Sequence, residues 1–402
     1  MEHFMRIGLF TDTYYPEING VANSVFQLKK ELEDRGNEVY VFTVSNPMAT
    51  ETENHVYRMV SIECPLLRER RISYALFYQW FQIIKELKLD IIHTQTEFMV
   101  GNIGRKAARR LHIPLIHTYH TIYEDYTHYL KIPGNKKLKG MVRKLSCLCC
   151  DFADEVIAPT DKVKGLLTAY GVKRPIMVQP TGIILSKFKA PDEEDVMRLK
   201  ANYKIWEEHH VLVSIGRLSR EKNLHETIEF MEKITKSDPK ARLLIVGDGP
   251  ERSHLEEQVR MKNLTSYIFF TGEVAWKDIQ DYYAVGDVFT SASTSETQGL
   301  TYAEALACGK PILVRKDDCL SDLLQDGING YSYQNEAEFM KNYQNLFQNE
   351  RCKQMSQEAE DSVKKISSKT FGRNMDRIYR YLISQMKMEG NGWDGQIHSI
   401  AE

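Results

Sequence analysis

Short apolar segments alternate with amphipathic segments along most of this chain. The apolar runs MRIGLFT and EVYVFTV enclose GVANSVFQLKKELEDRG, whose apolar positions recur at helical spacing and whose last glycine is a stop signal. Further buried-strand patterns follow at DIIHT, PLIHTY, EVIAPT and IMVQPTG. Strands that alternate with helices of this length predict βαβ units and a parallel sheet.

A second series of the same kind follows a break. The stretch PTGIILSKFKAPDEED interrupts the alternation and predicts a linker, after which come HVLVSIG, ARLLIVG, YIFFTG, DVFTSAS and KPILV. Ligands of open α/β sheets bind beyond the carboxyl ends of the strands. We therefore expect an α/β protein with two Rossmann-like, doubly wound domains facing each other across a cleft.

The pattern also predicts where the domains end. The N-terminal domain is expected at residues 1–183 and the C-terminal domain at residues 192–370. The pattern FGRNMDRIYRYLISQMKM predicts a helix at residues 371–388 that packs back on the N-terminal domain, followed by a tail at 389–402. Two domains agree with a length of 402 residues, since a single core stops growing at roughly 250 to 300 residues.

The composition is that of an ordinary globular protein, with 42% apolar and 27% charged residues. Because the sequence shows neither an apolar run of about 18 residues nor a signal peptide, we expect a cytoplasmic protein. The seven cysteines fit a reducing compartment. Cys147, Cys149 and Cys150 lack the spacing of zinc ligands, so we expect buried thiols and no metal.

The stretch TSASTSETQGLTYAEALACGKPILV predicts a loop, a helix from Thr301 that stops at Gly309, and a strand. The N–H groups at a helix start have no intrahelical partner and attract anions. Glu296 and Glu304 flank this start, where a plain phosphate site would disfavour carboxylates. Hydroxyl groups on the same ligand would explain both carboxylates, and a phosphate joined to a hydroxyl-rich group indicates a nucleotide sugar.

Other strand ends in the second series carry candidate ligand contacts. In SIGRLSREKN, Gly216 permits close approach of the backbone, and Arg217 and Lys222 are permanent cations suited to a diphosphate; the alternative is a solvated basic loop. The glycines of VGDGP predict a tight turn, because the third glycine of a dinucleotide fingerprint is missing. Gly272 and Val274 can offer backbone groups to a nucleobase.

The first series contributes a glycine and a histidine. Gly20 lies where the first helix begins, and either admits a phosphate or acceptor hydroxyl or is a simple helix-entry glycine. His120 falls just beyond the strand PLIHTY and is a candidate functional residue, whereas His117 lies within the strand and is expected to pack. No third ligand accompanies these histidines, which disfavours zinc.

Together these motifs resemble the GT4 family of retaining glycosyltransferases, which has the GT-B fold. Glu296 and Glu304 match the family's E-x7-E motif, and GRLSREKN, VGDGP, the N-terminal glycine turn and HTYHTIYEDY occur in the family's order. The resemblance covers roughly residues 5 to 385. The stretch SETQGLTYAEALA resembles the corresponding stretch in the diacylglycerol glucosyltransferase branch of this family.

The resemblance implies a role for each matching residue. Glu304 would bind the nucleotide ribose, and Glu296 would bind hydroxyl groups of the donor sugar. Arg217 and Lys222 would neutralise the diphosphate, and His120 would touch the sugar near the reacting carbon. The residues implied to complete the donor site are Gly20, Gly216, Gly272, Val274, Gln298, Gly299 and Leu300.

The resemblance also implies a mechanism without cofactor or metal. Arg217, Lys222 and the helix dipole would stabilise the leaving nucleoside diphosphate. Retention in this family is ascribed to attack from the leaving-group face, with the departing phosphate accepting the proton. One departure is Ile184, which stands where family members often have an acidic residue.

Charge and aromatic residues suggest the acceptor. Residues 61–150 hold 15 Lys and Arg against 7 Asp and Glu, although the whole chain has a net charge of −2. A basic surface with aromatic anchors suits an enzyme that sits on anionic lipid, and the alternative is that the apolar stripe of residues 74–87 is buried against the sheet. The predicted membrane or acceptor residues are Arg68, Arg70, Arg71, Trp80, Lys136, Lys137 and Lys139.

We therefore expect a hexosyltransferase that moves a hexose, foremost glucose, from a UDP-sugar to a membrane glycerolipid or glycolipid such as diacylglycerol. It would act at the inner face of the cell membrane, without a nucleic-acid partner. Three alternatives stay open: a transferase that uses a soluble alcohol or polysaccharide primer, a UDP-sugar 2-epimerase, and a non-catalytic partner subunit. An NAD-dependent oxidoreductase is disfavoured, because no full G-x-G-x-x-G follows a strand.

Overall fold

The structure is a computed structural model that describes residues 4–17, 19–49, 53–64, 71–125, 135–189 and 191–397, apart from the side chains of residues 135, 136, 349 and 389–397. The chain divides into two compact units. The first comprises Met1–Gly182 with Ser368–Glu402, and the second comprises Ile183–Ser367. The division falls within the stretch PTGIILSKFKAPDEED.

The first unit is built on a parallel sheet. Its strands are β1 (Arg6–Phe10), β2 (Glu38–Val44), β3 (Val56–Met59), β6 (Ile91–Thr94), β7 (Leu115–Thr118), β8 (Glu155–Ala158) and β9 (Ile176–Val178), and β4 (Ser61–Glu63) pairs with β5 (Arg71–Ser73) in a separate antiparallel ribbon. The sheet order is β3-β2-β1-β6-β7-β8-β9. Its helices are α1 (Gly20–Glu33), α2 (Phe77–Glu86), α3 (Met99–Leu111), α4 (Asn135–Asp151) and α5 (Asp161–Tyr170).

The second unit repeats the architecture with six parallel strands. Its helices are α6 (Leu185–Phe188), α7 (Glu193–Asn202), α8 (Leu224–Ser237), α9 (Arg252–Met261), α10 (Ile279–Val285), α11 (Leu300–Ala307), α12 (Glu336–Phe347), α13 (Arg351–Gln354) and α14 (Ser356–Ser362). Its strands are β10 (His210–Ile215), β11 (Ala241–Val246), β12 (Ile268–Phe270), β13 (Val288–Ser291), β14 (Ile312–Arg315) and β15 (Gly330–Tyr333). The order β12-β11-β10-β13-β14-β15 is the Rossmann order, which confirms the predicted fold of this unit.

Each sheet is covered on both faces, as the apolar strands predict. Along β10, Val211 and Val213 belong to one buried cluster and Leu212 belongs to the other, because successive side chains point to opposite faces. The first unit likewise has one cluster on each face of its sheet. Strands buried on both faces expose polar groups to a ligand mainly at their ends.

The last helix, α15 (Ser368–Ile397), belongs to the first unit and packs on α1. Met375 and Tyr379 are fully buried in a cluster with residues of β1 and α1, and the Tyr379 hydroxyl lies 2.6 Å from Nδ1 of His93. Its backbone continues to Ile397, beyond the 371–388 stretch that the sequence pattern predicts. Within the described residues, no helix combines the length and the apolar content needed to cross a membrane.

Candidate active site

The loop between β13 and α11 carries the first of the two predicted carboxylates, Glu296. The helix begins at Leu300, directly after Gly299, whose φ of 73° lies in the left-handed region. A Cβ atom at Gly299 would lie 2.5 Å from the Tyr302 ring, so this position requires glycine. The sequence therefore fixes the turn by which the backbone enters the helix.

Glu296 is paired with Lys222 of a second loop. Lys222 Nζ donates to Oε1 of Glu296 at 2.6 Å, and Lys222 ends the 3-10 helix Arg220–Lys222 that follows β10. The two loops are also joined by backbone, because the Thr294 amide donates to the Glu221 carbonyl at 2.9 Å. This arrangement holds a cation and a carboxylate together at the carboxyl ends of β10 and β13.

A small cavity brings several predicted donor-site residues together. Its lining includes Gly216, Arg217, Lys222, Ser291, Glu296 and Thr301. Two permanent cations beside a carboxylate can bind a diphosphate and a neighbouring hydroxyl group. The start of α11 adds backbone donors at the same place, because Thr301 is in its first turn.

Glu304 is supported separately and is not among the residues that line this cavity. The Tyr283 hydroxyl donates to Oε2 of Glu304 at 2.7 Å. Burial raises the pKa of Glu304 to about 7, while the Tyr283 hydrogen bond and the nearby Lys187 charge oppose the rise. Sequence analysis missed both supporting residues, because Tyr283 looks like a packing residue of α10 and Lys187 like a surface lysine.

The other predicted donor residues surround these loops. The Gly247 amide donates to the Gly272 carbonyl at 3.0 Å, and a Cβ atom at Gly247 would collide with the backbone of Gly216. This close approach agrees with the structural role predicted for the VGDGP glycine. Val274 and Leu300 are partly buried against one core cluster of the unit. Gln298 lies in the loop before α11.

In the first unit, His120 lies beyond the carboxyl end of β7, as predicted. Its Nε2 lies 2.7 Å from Oε1 of Gln95, which follows β6 and is buried. Burial, with a smaller contribution from the nearby His117, lowers the pKa of His120 to about 3. His120 is therefore a neutral hydrogen-bonding group at ordinary pH. Sequence analysis missed Gln95, since a single polar residue after a strand carries no distinctive signal.

The prediction that His117 packs within the strand is confirmed. His117 is fully buried, with Nδ1 2.9 Å from the Thr94 hydroxyl and Nε2 3.3 Å from Oε1 of Glu97. The hydroxyl of Tyr123 donates a short hydrogen bond to the same carboxylate. Sequence analysis did not identify Glu97 as the centre of this network.

Two polar residues organise the helix starts near this edge. Asp12 is buried after β1 and accepts hydrogen bonds from the Thr96 hydroxyl at 2.5 Å and from the Val100 amide at 3.0 Å, so it caps α3 from another segment. Gly20 is the first residue of α1, and the preceding Asn19 accepts a hydrogen bond from the Ala22 amide at 3.0 Å. The Asn19 cap accounts for where α1 begins.

Trp80, which was predicted to lie at a membrane surface, is partly buried and packs against the core of the first unit. Its ring packs edge-on against Phe42 with centroids 6.4 Å apart, and the stripe of α2 packs against the core, which is the alternative reading of residues 74–87. Arg71 donates from Nε to the Ser61 hydroxyl at 2.9 Å in the antiparallel ribbon. Arg68 and Arg70 lie outside the described residues.

A different apolar face is exposed on α4. Four side chains at helical spacing, three on α4 and one directly after its last residue, are about half exposed or more: Met141, Leu145, Leu148 and Phe152. Lys137 precedes this stripe, and Lys139 lies 3.7 Å from Glu124. The Arg143 hydrogen bonds hold the pKa of Glu124 at about 2. The Lys136 side chain is not among those described.

Two family models match the chain. The model of Glycosyltransferase Family 4 matches residues 18–187, and the model of Glycosyl transferases group 1 matches residues 196–362. The first range covers most of the first unit and extends into α6, and the second range lies within the second unit.

Named relatives share much of the sequence. An alpha-monoglucosyldiacylglycerol synthase of Streptococcus pneumoniae is 41% identical over 335 residues, which cover 83% of this chain and 76% of that protein. An enzyme of the same name from Acholeplasma laidlawii is 34% identical over 393 residues, which cover 95% of this chain and 98% of that protein.

A solved structure shows the same fold. The crystal structure of Anabaena HepE in complex with UDP-glucose matches with a TM-score of 0.76 and 19% sequence identity, covering 94% of this chain and 100% of that chain. At this identity the likeness establishes the fold alone.

Proposed function

This chain belongs to glycosyltransferase family 4, has the GT-B fold and is a hexosyltransferase, and on that premise we propose that it transfers glucose from UDP-glucose to diacylglycerol with retention of configuration. The observation that carries the transfer chemistry is the cavity that joins Arg217, Lys222 and Glu296 to the start of α11. The sugar and the acceptor are proposed from the names of the relatives at 41% and 34% identity.

The proposed donor site uses the charges of the second unit. Arg217 and Lys222 would neutralise the diphosphate, and the backbone N–H groups at the start of α11 would add donors to it. Glu296 would accept hydrogen bonds from the sugar and Glu304 from the ribose. Because these groups already supply positive charge where the leaving group develops negative charge, we propose that the reaction needs no divalent metal.

The proposed roles in the first unit concern hydroxyl groups. His120 is neutral and hydrogen-bonded to Gln95, so it can exchange hydrogen bonds with a sugar or acceptor hydroxyl without adding charge. Gly20, at the first position of α1, would leave space for the donor phosphate. The departing phosphate, rather than a side chain, would accept the proton of the acceptor hydroxyl.

Contact with anionic lipid is proposed through α4. Its exposed stripe offers Leu145 and Leu148 to the interface, and Lys137 offers a cation to anionic headgroups. An apolar helix face flanked by lysine is the composition that binds the headgroup region of a bilayer. This supports a peripheral enzyme that meets a membrane-resident acceptor.

Radiolabelled UDP-glucose offered with liposomes of diacylglycerol and anionic lipid tests the proposal. Label extracted into organic solvent as glucosyldiacylglycerol is the expected result. Water-soluble label with release of UDP would favour a soluble acceptor, and recovery of an epimerised UDP-sugar without transfer would favour the 2-epimerase. Either of these outcomes would overturn the lipid acceptor. The Glu296→Ala variant serves as the negative control.

A further inference from the structure

Glu304 accepts a hydrogen bond from a tyrosine whose side chain is fixed by its packing. The Tyr283 hydroxyl donates to Oε2 of Glu304 at 2.7 Å, and the Tyr283 side chain is fully buried. Its ring packs edge-on against Phe188 with centroids 5.9 Å apart and lies 6.0 Å from the Phe289 ring. Because its rotation is blocked on two sides, the tyrosine fixes which carboxylate oxygen is occupied and leaves Oε1 of Glu304 for another donor.

Lys187 lies on α6, which packs against α11, and its charge acts on the same carboxylate. Its Nζ lies 3.0 Å from the centroid of the Trp276 ring and donates to the Trp276 carbonyl. Burial lowers the pKa of Lys187 to about 8, and among the neighbouring charges Glu304 opposes that shift most. The ammonium is therefore fixed by Trp276 within the electrostatic reach of Glu304.

The adjacent hydroxyl groups of a ribose can donate hydrogen bonds to an ionised carboxylate. A protonated carboxyl group has one fewer acceptor site for them. We propose that Tyr283 and Lys187 are positioning residues for the donor nucleotide, which orient the Glu304 carboxylate so that it accepts hydrogen bonds from the ribose hydroxyls. The inference rests on the proposed function, because it assigns the ribose to Glu304.

The arrangement makes donor binding sensitive to pH. With the pKa of Glu304 raised by burial to about 7, protonation below that pH removes the acceptor, so nucleotide affinity falls as the pH is lowered. Removal of the Lys187 charge raises the pKa of Glu304 further and moves the loss of affinity to higher pH.

Other ionisable groups lie around Lys187 and Glu304 and also affect their titration. Asp278 and Asp281 act on Lys187, as does Cys308, one turn beyond Glu304 on α11. Glu360 of α14 acts on Cys308. Tyr283 and Lys187 are the partners that oppose the raised pKa of Glu304, so they are the residues to change.

The test compares binding of UDP and 2′,3′-dideoxy-UDP by calorimetry from about pH 6 to about pH 9. In the wild-type protein at high pH, UDP should bind at least roughly tenfold more tightly than the dideoxy analogue, because the analogue lacks the hydroxyl donors that the charged Glu304 carboxylate would bind. Lys187→Met should lose this preference near pH 7 and regain it near pH 9. Lys187→Arg should keep the wild-type profile, and Tyr283→Phe should lower the preference at every pH.

Lys189→Met, on the exposed neighbouring lysine, is the matched control and should behave as wild type. A wild-type pH profile in Lys187→Met, or a preference for UDP that is unchanged in Tyr283→Phe, would overturn the inference and leave the proposed donor intact. If the wild-type protein bound neither UDP nor ADP nor GDP, the proposed function and this inference would both fall.

Discussion

The two units place different chemistry at the carboxyl ends of their strands, although both have a parallel sheet. In the second unit, Lys222 and Glu296 form an ion pair at 2.6 Å beside Arg217. In the first unit, His120 is hydrogen-bonded to Gln95. It stays neutral, because burial lowers its pKa to about 3. One architecture thus presents fixed charge in one unit and a neutral hydrogen-bonding surface in the other, according to the side chains at its strand ends.

This difference matches two tasks in the proposed reaction. A diphosphate leaving group gains charge as its bond to the sugar breaks, and fixed cations stabilise that charge. An acceptor hydroxyl or a sugar hydroxyl carries no charge, and a neutral imidazole suits it. Four sets of substitutions test this difference between the two units.

The largest effect is expected where charge is removed from the second unit. Arg217→Ala and Lys222→Ala should each lower kcat by about 100-fold or more, as when a preorganised group is removed from a site of developing charge. Glu296→Ala should lower turnover more than about tenfold. Lipid-extracted label measures the rate, and circular dichroism shows that each variant is folded.

Arg220→Ala is the matched control, because Arg220 is exposed in the same 3-10 helix. It should retain turnover close to that of the wild-type enzyme. Equal activity in Arg217→Ala and Arg220→Ala would show that the cavity is not the donor site.

A smaller effect is expected at the exposed face of the first unit. Leu145→Gln combined with Leu148→Gln should lower partition onto anionic liposomes by roughly tenfold, since each buried CH₂ contributes about 0.8 kcal/mol to interfacial binding. Flotation measures the bound fraction. Met261→Gln, at a 75% exposed methionine of the second unit, should leave binding unchanged. Wild-type flotation of the double variant would remove α4 from the proposed membrane surface.

The neutral network of the first unit should contribute modestly to stability. Tyr379→Phe removes the hydroxyl that lies 2.6 Å from His93 and should lower the free energy of unfolding by about 1 kcal/mol, as expected for a neutral hydrogen bond. Urea denaturation gives the difference. The control, Tyr381→Phe, lies on the same helix at a 60% exposed position and should change the free energy by less than about 0.5 kcal/mol. Equal free energies of unfolding for the wild-type protein and Tyr379→Phe would show that the buried hydrogen bond makes no net contribution to stability.

The smallest effect is expected on the pH dependence of kcat, because His120 should not titrate in the working pH range. His120 is neutral above a pKa of about 3, so its charge does not change between about pH 5.5 and about pH 8.5. His120→Ala should therefore lower kcat by the same factor across that range. A factor that changes with pH in step with an ordinary histidine would mean that His120 is charged during turnover.

Much of the fold was predictable because its signals are local. The apolar runs that become β10 and β11 and the glycine stops after the helices depend only on neighbouring residues. The strands β3 and β15 were missed, because VYRM and GYSY are only four residues long and a polar residue interrupts each apolar run. The family, the GT-B fold and the hexosyltransferase class were predicted from the motifs and are confirmed.

The two series of strands and helices and the E-x7-E spacing follow from the sequence alone, since both are properties of short segments. The tertiary structure was needed to show that Glu296 forms an ion pair with Lys222 and that Glu304 accepts a hydrogen bond from Tyr283. The tertiary structure also packs the apolar stripe of α2 against the core, whereas α4 exposes an apolar stripe. The physical reason is that burial and charge pairing depend on which distant segments meet, and an amphipathic pattern does not state what covers its apolar face.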